Sequence, residues 1–178
     1  MGGHAYWYYA KYQPDLNAAL QALREQEFQA GRYNPVIWML DFPISEDSPT
    51  PGAQHPSIEA ALEASEYDGT RSILDIFQVS DTPYRYSIAE LVTALQARDY
   101  DKFGGFQTAF PLASAELVDL FGTEQPTHEM VESVVFGDAN PEASGNLWSS
   151  IGRGTARYII VYAGNQPSEI FFIGYSFD

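Results

Sequence analysis

The stretch ARYIIVYAGNQPSEIFFIGYSF, Ala156 to Phe177, decides the fold. Two apolar, β-branched and aromatic runs, Ala156 to Ala163 and Glu169 to Phe177, flank Gly164, Asn165, Gln166, Pro167 and Ser168. Strand-forming residues on both sides of a Gly, Asn and Pro cluster predict a β-hairpin. Alternation along the two runs leaves open whether the second face of the hairpin is covered.

Elements that can join this hairpin are found throughout the chain. His4 to Tyr12 read as a strand with aromatics on both alternating faces, Tyr6, Tyr8 and Tyr12 on one and Trp7 and Tyr9 on the other. That pattern predicts an interior position. Pro14 to Ala30 place Leu16, Ala19, Leu20 and Leu23 at helical spacing, and Gly31 is positioned to stop the helix. Val36 to Phe42, bracketed by Pro35 and Pro43, read as a buried strand. Four prolines between Pro43 and Pro56 predict a long loop. Ser57 caps a helix through about Ser65, with Glu59, Glu63 and Glu66 on its outer stripe. Ser72 to Val79 alternate as a further strand, with Asp75 sharing the face of Ile73, Phe77 and Val79.

Ser87 and Glu90 form a capping box ahead of Ile88, Leu91, Val92 and Leu95. Ser114 and Thr127 read as caps of two short helices whose outer faces carry Glu116 with Asp119 and Glu129 with Glu132. Residues 137 to 154, rich in Gly, Ser, Asn and Pro, read as a second long loop with room for a helical turn. The simplest assembly is a single α+β domain over residues 1–178. Its core would be a mainly antiparallel sheet of about five strands, including the C-terminal hairpin, with helices packed against it.

Charge narrows the partners. The 178 residues carry 24 acids and 9 bases, a net −15. The acid fraction is ordinary, so the imbalance comes from withheld lysine and arginine. Between Arg32 and Arg71 stand Asp41, Glu46, Asp47, Glu59, Glu63, Glu66 and Asp68 with no base. Between Lys102 and Arg153 stand Glu116, Asp119, Glu124, Glu129, Glu132, Asp138 and Glu142, again with no base. A field of this sign repels phosphate backbones and anionic lipid, so no nucleic acid and no membrane are expected as partners, and a basic protein is favoured. The chain has no cysteine, which excludes disulfides, thiolate catalysis and Cys-ligated metal and suits a cytoplasmic location. No apolar run is long enough to cross a membrane, and the amino terminus lacks the basic-then-apolar pattern of a secretory signal.

Catalytic motifs are missing or incomplete. Gly152-Arg153-Gly154 looks like a phosphate loop, but it precedes a strand and lacks the third glycine. Asp99, Asp101 and Gly104 match part of a calcium loop, yet Phe103 and Phe110 occupy ligand positions. His4, His55 and His128 are too far apart in sequence for a helical zinc pair, although His128 and Glu132 share a helix face. Neither a cofactor nor a metal is implied. Asp75, shortly after Arg71, must face water, pair with a cation or shift its pKa. Tyrosines on neighbouring strands suggest a lined pocket.

Two functions are compatible with these residues. One is an acidic protein-binding domain of inhibitor or immunity type, docking on a basic partner through Glu59, Glu63, Glu66, Glu116, Asp119, Glu129 and Glu132. The other is a small-ligand-binding protein or enzyme with a tyrosine-lined pocket between the sheet and the 43–56 and 137–154 loops. Tyr6, Tyr8, Arg71, Asp75, Trp148 and Arg153 would line that pocket.

Overall fold

The hairpin forms as its residues predict. In the computed structural model, which describes residues 3–38 and 41–178, β4 (Thr155–Ala163) and β5 (Gln166–Tyr175) pair antiparallel and turn tightly on Gly164 and Asn165. Gly164 has φ +62°, a left-handed conformation that glycine adopts without strain. Tyr158, Ile160, Ile170 and Phe172 point to one side of the sheet, and Ile159, Val161, Phe171 and Ile173 to the other. Both sides are covered, so the architecture is three layers with helices on each face of the sheet.

Among the described residues there are six α-helices and five strands. β1 (Ala5–Lys11), β2 (Gln78–Val79) and β3 (Thr108–Pro111) complete a sheet of order β1-β5-β4-β3-β2. On one face, α1 (Leu16–Ala30) and α2 (Ile58–Ser65) bury Ala19, Leu20, Leu23, Phe28 and Ala61 against Tyr6, Tyr8, Tyr158 and Phe172. The opposite face holds α4 (Ser114–Phe121), α5 (His128–Val135) and α6 (Pro141–Ser149), which pack Leu117, Val131, Val135 and Leu147 onto Ile159, Val161, Phe171 and Ile173. α3 (Ile88–Ala97) joins this second layer through Ile88 and its contact with α6. None of the described helices is long and apolar enough to cross a membrane.

The α+β class agrees with the sequence reading, but the sheet is mixed rather than mainly antiparallel, and β3 is one of its five strands where Val36 to Phe42 was expected. β1 with β5 and β4 with β5 run antiparallel, whereas β2 with β3 and β3 with β4 run parallel. Parallel neighbours need a crossover, which α3 provides before β3 and α4 to α6 provide before β4. β3 is four residues long and ends in Pro111, too short to show a period, so its place between β2 and β4 is invisible in the sequence.

Other elements are corrected in the same way. Of the expected strand Ser72 to Val79, only Gln78 and Val79 pair. Ile73–Asp75 form a 3-10 turn, where the Ser72 hydroxyl accepts a hydrogen bond from Leu74 N–H at 3.3 Å. Of the expected strand Val36 to Phe42, Val36 and Ile37 close a turn through hydrogen bonds to Tyr33 O, while Met39 and Leu40 lie outside the described residues. Ile44 makes the bridge instead, lying parallel to Tyr6. β1 is therefore an edge strand, not an interior one, and its aromatics face both ways because both layers extend over it. Within 137–154 the nine-residue α6 is capped by Asn140, which accepts from Ala143 N–H at 3.0 Å, and has Pro141 in its first turn. Ser114 is the first residue of α4 rather than its cap, and Glu116 reaches back to accept from Ala113 N–H at 2.9 Å.

The end of α1 shows how local and tertiary demands meet. Gly31 sits at φ +77° and would strike the backbone of Gly52 if it carried a Cβ, because Gly52 N–H donates to Ala30 O at 2.9 Å. Just inside, Glu27 is wholly buried and receives a forked pair from Arg32, Nε to Oε2 at 2.7 Å and Nη2 to Oε1 at 2.6 Å. Burial pushes the Glu27 carboxyl up, and the Arg32 guanidinium pulls it back. Removing the cation strands a buried carboxylate, so Arg32→Met is expected to lower unfolding free energy by about 3–5 kcal/mol in urea titrations at neutral pH.

Candidate functional site

The seven carboxylates predicted to form a docking face are divided by the sheet. Glu59, Glu63 and Glu66 lie on or just beyond α2, in the α1 layer. Glu116 and Asp119 on α4, with Glu129 and Glu132 on α5, lie in the opposite layer. The structure therefore does not bring the two sets together.

Two of these groups also have structural work. Glu116 spends Oε1 on Ile88 N–H and Oε2 on Ala113 N–H, both at 2.9 Å. Glu132 accepts from the Tyr9 hydroxyl at 2.7 Å. His128 pairs not with Glu132 but with Glu169, Nδ1 to Oε2 at 2.9 Å, while its ring stacks on Tyr9. The hydrogen bond to Glu169 raises the His128 pKa. Among the described residues, Asp68 is the one acid of the two base-free stretches that forms an ion pair, with Arg71 Nη2 at 3.5 Å.

Tyr6, Tyr8 and Asp75 are core groups, exposed by 1% or less. Burial raises both phenols well above their usual range, and the Tyr6 hydroxyl has no hydrogen-bond partner among the described residues. Asp75 Oδ1 accepts from Thr70 N–H at 2.9 Å and from the Thr70 hydroxyl at 2.7 Å, while Oδ2 has no partner among the described residues. The Arg71 side chain does not pair with it. Its guanidinium turns to Asp178 at 3.1 Å and lies over the Phe42 ring. Asp178 also meets His4 Nδ1 at 2.9 Å and the Ser176 hydroxyl, which joins the first strand to the carboxyl end of the chain. Burial alone would lift the Asp178 carboxyl, but Ser176, His4 and Arg71 together hold it below its usual value.

Trp148 and Arg153 do line a concave surface. A hollow of about 180 Å³ lies between Leu95, Trp148, Ser149, Arg153 and Tyr175. Arg153 also borders a second hollow of about 450 Å³, shared with Tyr100, Phe103 and Gly152. The larger volume falls within the range of ligand pockets, about 300–1,000 Å³. The 43–56 loop takes no part in this lining and is tied instead to α1 through Gly52 and Ala53.

Local chemistry builds the walls of this recess. The Tyr84 hydroxyl donates to Lys102 O at 2.7 Å and accepts from Gly104 N–H at 2.6 Å, fixing the 100–104 turn. Gly154, at φ +67°, brings the 152–154 turn against the Phe106 ring, and its N–H donates to Tyr175 O at 2.9 Å. Behind the wall formed by Phe103 and Gly152 lies a narrow crevice that reaches Tyr84, Phe110 and Arg157. Arg153 is exposed and Arg157 buried, and neither forms an ion pair among the described residues. The sequence reading named Arg153 and passed over Arg157. The available signal was a single cation inside the apolar run Ala156 to Ala163.

Among the described residues no group of three or more His, Asp or Glu is placed to hold a metal ion. The chain matches no protein-family model, no characterised protein and no solved structure.

Burial of Asp75 has a measurable consequence for stability. Desolvation raises its pKa from 3.8 to about 6, despite the opposing hydrogen bonds from Thr70. The native state therefore holds the proton more tightly than the unfolded chain, and this group's contribution to stability falls as pH rises from about 4 through 6. Asn at 75 keeps an oxygen for Thr70 and never ionises. Asp75→Asn is expected to gain on the wild type by about 3 kcal/mol between pH 4 and pH 7, read from urea midpoints across that range. A difference that stays flat with pH contradicts a buried, titrating carboxyl.

Proposed function

We propose that this chain is a small-ligand-binding protein whose ligand is a compact anion seated in the recess bounded by Tyr100, Phe103, Trp148 and Arg153. The observation that carries this reading is Arg153, a guanidinium with no carboxylate partner among the described residues at the rim shared by both hollows. In a chain of net −15, an anion gains nothing from the general field and needs a local cation. Tyr100, Phe103 and Trp148 offer an anion's apolar part contact beside that cation. Trp148 supplies the readout, since a ligand in the smaller hollow alters its fluorescence. Titration with a panel of small carboxylates and phosphates is expected to find a ligand whose affinity drops at least about tenfold, or about 1.4 kcal/mol, in Arg153→Ala. Affinity equal in wild type and variant for every anion would count against the recess.

A second reading, docking on a basic protein, is favoured by one specific feature. Tyr67 is 92% exposed and stands between Glu66 and Asp68, beside a cleft of about 220 Å³ that includes Asn34, Pro35 and Ala64. An exposed tyrosine ringed by carboxylates suits the lysine and arginine side chains of a partner. Poly-lysine binding at low salt is expected to weaken more in Glu63→Gln/Glu66→Gln than in Asp119→Gln/Glu129→Gln. Both pairs change net charge equally, so equal losses would mean a diffuse field without a docking face.

A further inference from the structure

The two outer edges of the sheet, β1 and β2, are protected unequally. An edge strand presents N–H and C=O groups that the protein covers or leaves to a partner. At the β2 edge, α1 supplies the cover. Asn17 Oδ1 accepts from Val79 N–H at 2.9 Å, and Gln21 Nε2 donates to Phe77 O at 3.2 Å. At the β1 edge the cover stops halfway. Tyr12 N–H donates inward to Ser168 O at 3.1 Å, in line with the β5 ladder, whereas Trp7 N–H points outward to Ile44 O at 3.3 Å. Main-chain groups alternate in direction along an antiparallel strand, so Tyr9 and Lys11 also direct theirs outward. Past Ile44 the chain turns away, with Ser48 N–H donating to Ser45 O at 3.1 Å and Arg32 Nη1 holding Glu46 O at 2.8 Å. Among the described residues, no backbone group bonds to Tyr9 or Lys11 on that side. Tyr9 and Ala10 are partly exposed, and Lys11 is exposed.

The two faces beside this open stretch differ in chemistry. Tyr9 lies on the α5 side, where its hydroxyl donates to Glu132, and Lys11 stands opposite Glu169 in the β1–β5 register. Burial, the Glu132 hydrogen bond and the charges of Glu132, Glu169 and Glu46 all raise the Tyr9 phenol, so three carboxylates act on this end of the strand. Asp47 adds a fourth beside Glu46, and the cations among them are Lys11 and His128. On the α1 side stand Ala10 and Tyr12, packed against the core. An added strand alternates its side chains between the two faces, so one row meets carboxylates and the other meets Ala10 and Tyr12.

We propose that the open edge of β1, from Tyr9 to Tyr12, docks a short extended segment of a basic partner as an additional strand, its lysine or arginine side chains toward Glu132 and Glu169. Backbone hydrogen bonds hold the segment, and the carboxylates select its charge. A second copy of this chain is disfavoured as the occupant, because it brings like carboxylates against one another across the join. The inference uses no residue of the recess and none of the Tyr67 cleft.

The probe is a heptapeptide of alternating lysine and valine, added at low ionic strength while amide exchange at Tyr9, Lys11 and Val79 is followed by NMR. Slower exchange at Tyr9 and Lys11, with Val79 unchanged, is the expected result. Affinity is expected to fall at least about tenfold for a fully N-methylated copy of the peptide, for a copy with threonine in place of lysine, and for the unmodified peptide on Lys11→Pro. Proline removes the outward N–H but no bond of the β5 ladder, and loss of the lysine charge by itself favours a basic peptide. If Lys11→Pro fails to fold, the N-methylated copy on the wild-type chain decides the question. Equal binding of that copy, or binding without slower exchange at Tyr9 and Lys11, overturns the edge as the docking site. Equal binding of the threonine copy overturns the basic partner. Protection of Tyr9 and Lys11 in a dimer formed without peptide overturns the proposed occupant in favour of a second copy. No binding of the lysine–valine peptide overturns the inference and leaves the recess to its own anion titration.

Discussion

The two faces of the β4–β5 hairpin are both apolar, and this constraint organises the rest of the molecule. Tyr158, Ile170 and Phe172 need cover on one side, and Ile159, Val161, Phe171 and Ile173 need it on the other. A sheet with one solvated face would leave one of these rows in water, at roughly 1.5–3 kcal/mol for each large side chain. The helices answer that demand by dividing between the faces, with α1 and α2 on one side and α3 to α6 on the other. The parallel strands follow, because chain that leaves the sheet to lay down a helix and returns on the same side enters in the same direction.

Polar groups in the interior fall into two kinds. The Glu27–Arg32 pair is closed, since each carboxylate oxygen meets a guanidinium nitrogen. Asp75 and Arg157 are each buried without an ion pair among the described residues, and of the two only Asp75 has a wholly buried polar atom, Oδ2, without a partner there. Asp75 is sealed in the α1 layer near the carboxyl end of the chain, where a proton can neutralise it at mildly acidic pH. Arg157 keeps its charge in that range, with the Tyr84 and Phe110 rings beside it. The difference makes the response of stability to mildly acidic pH a property of Asp75 and not of Arg157.

The hollow exists because three turns meet at the end of the sheet where β4 begins. The carboxyl end of α6 places Trp148 and Ser150, the glycine turn at 152–154 leads into β4, and the Tyr84-tied turn at 100–104 closes the side. No single one of these segments has a binding signature in sequence. Gly152-Arg153-Gly154 lacks the strand-then-helix setting of a phosphate loop, and Asp99, Asp101 and Gly104 match only part of a calcium loop. Their chemistry arises from juxtaposition of residues about 50 positions apart.

The hairpin, the capped helices α1, α2, α3 and α5, the glycine stop at Gly31 and the absence of thiol chemistry are all determined by sequence alone. Each depends on residues within a few positions of one another, where period, capping and turn chemistry act directly. The direction of β3, the 3-10 turn that replaces a strand at Ile73–Asp75 and the edge position of β1 depend on tertiary structure. They are fixed by which distant segment supplies the neighbouring hydrogen bonds. The same distinction applies to charge. Sequence sets the total of −15 and the two base-free stretches, but only the folded sheet places those stretches on opposite layers and buries Arg157 with no ion pair among the described residues.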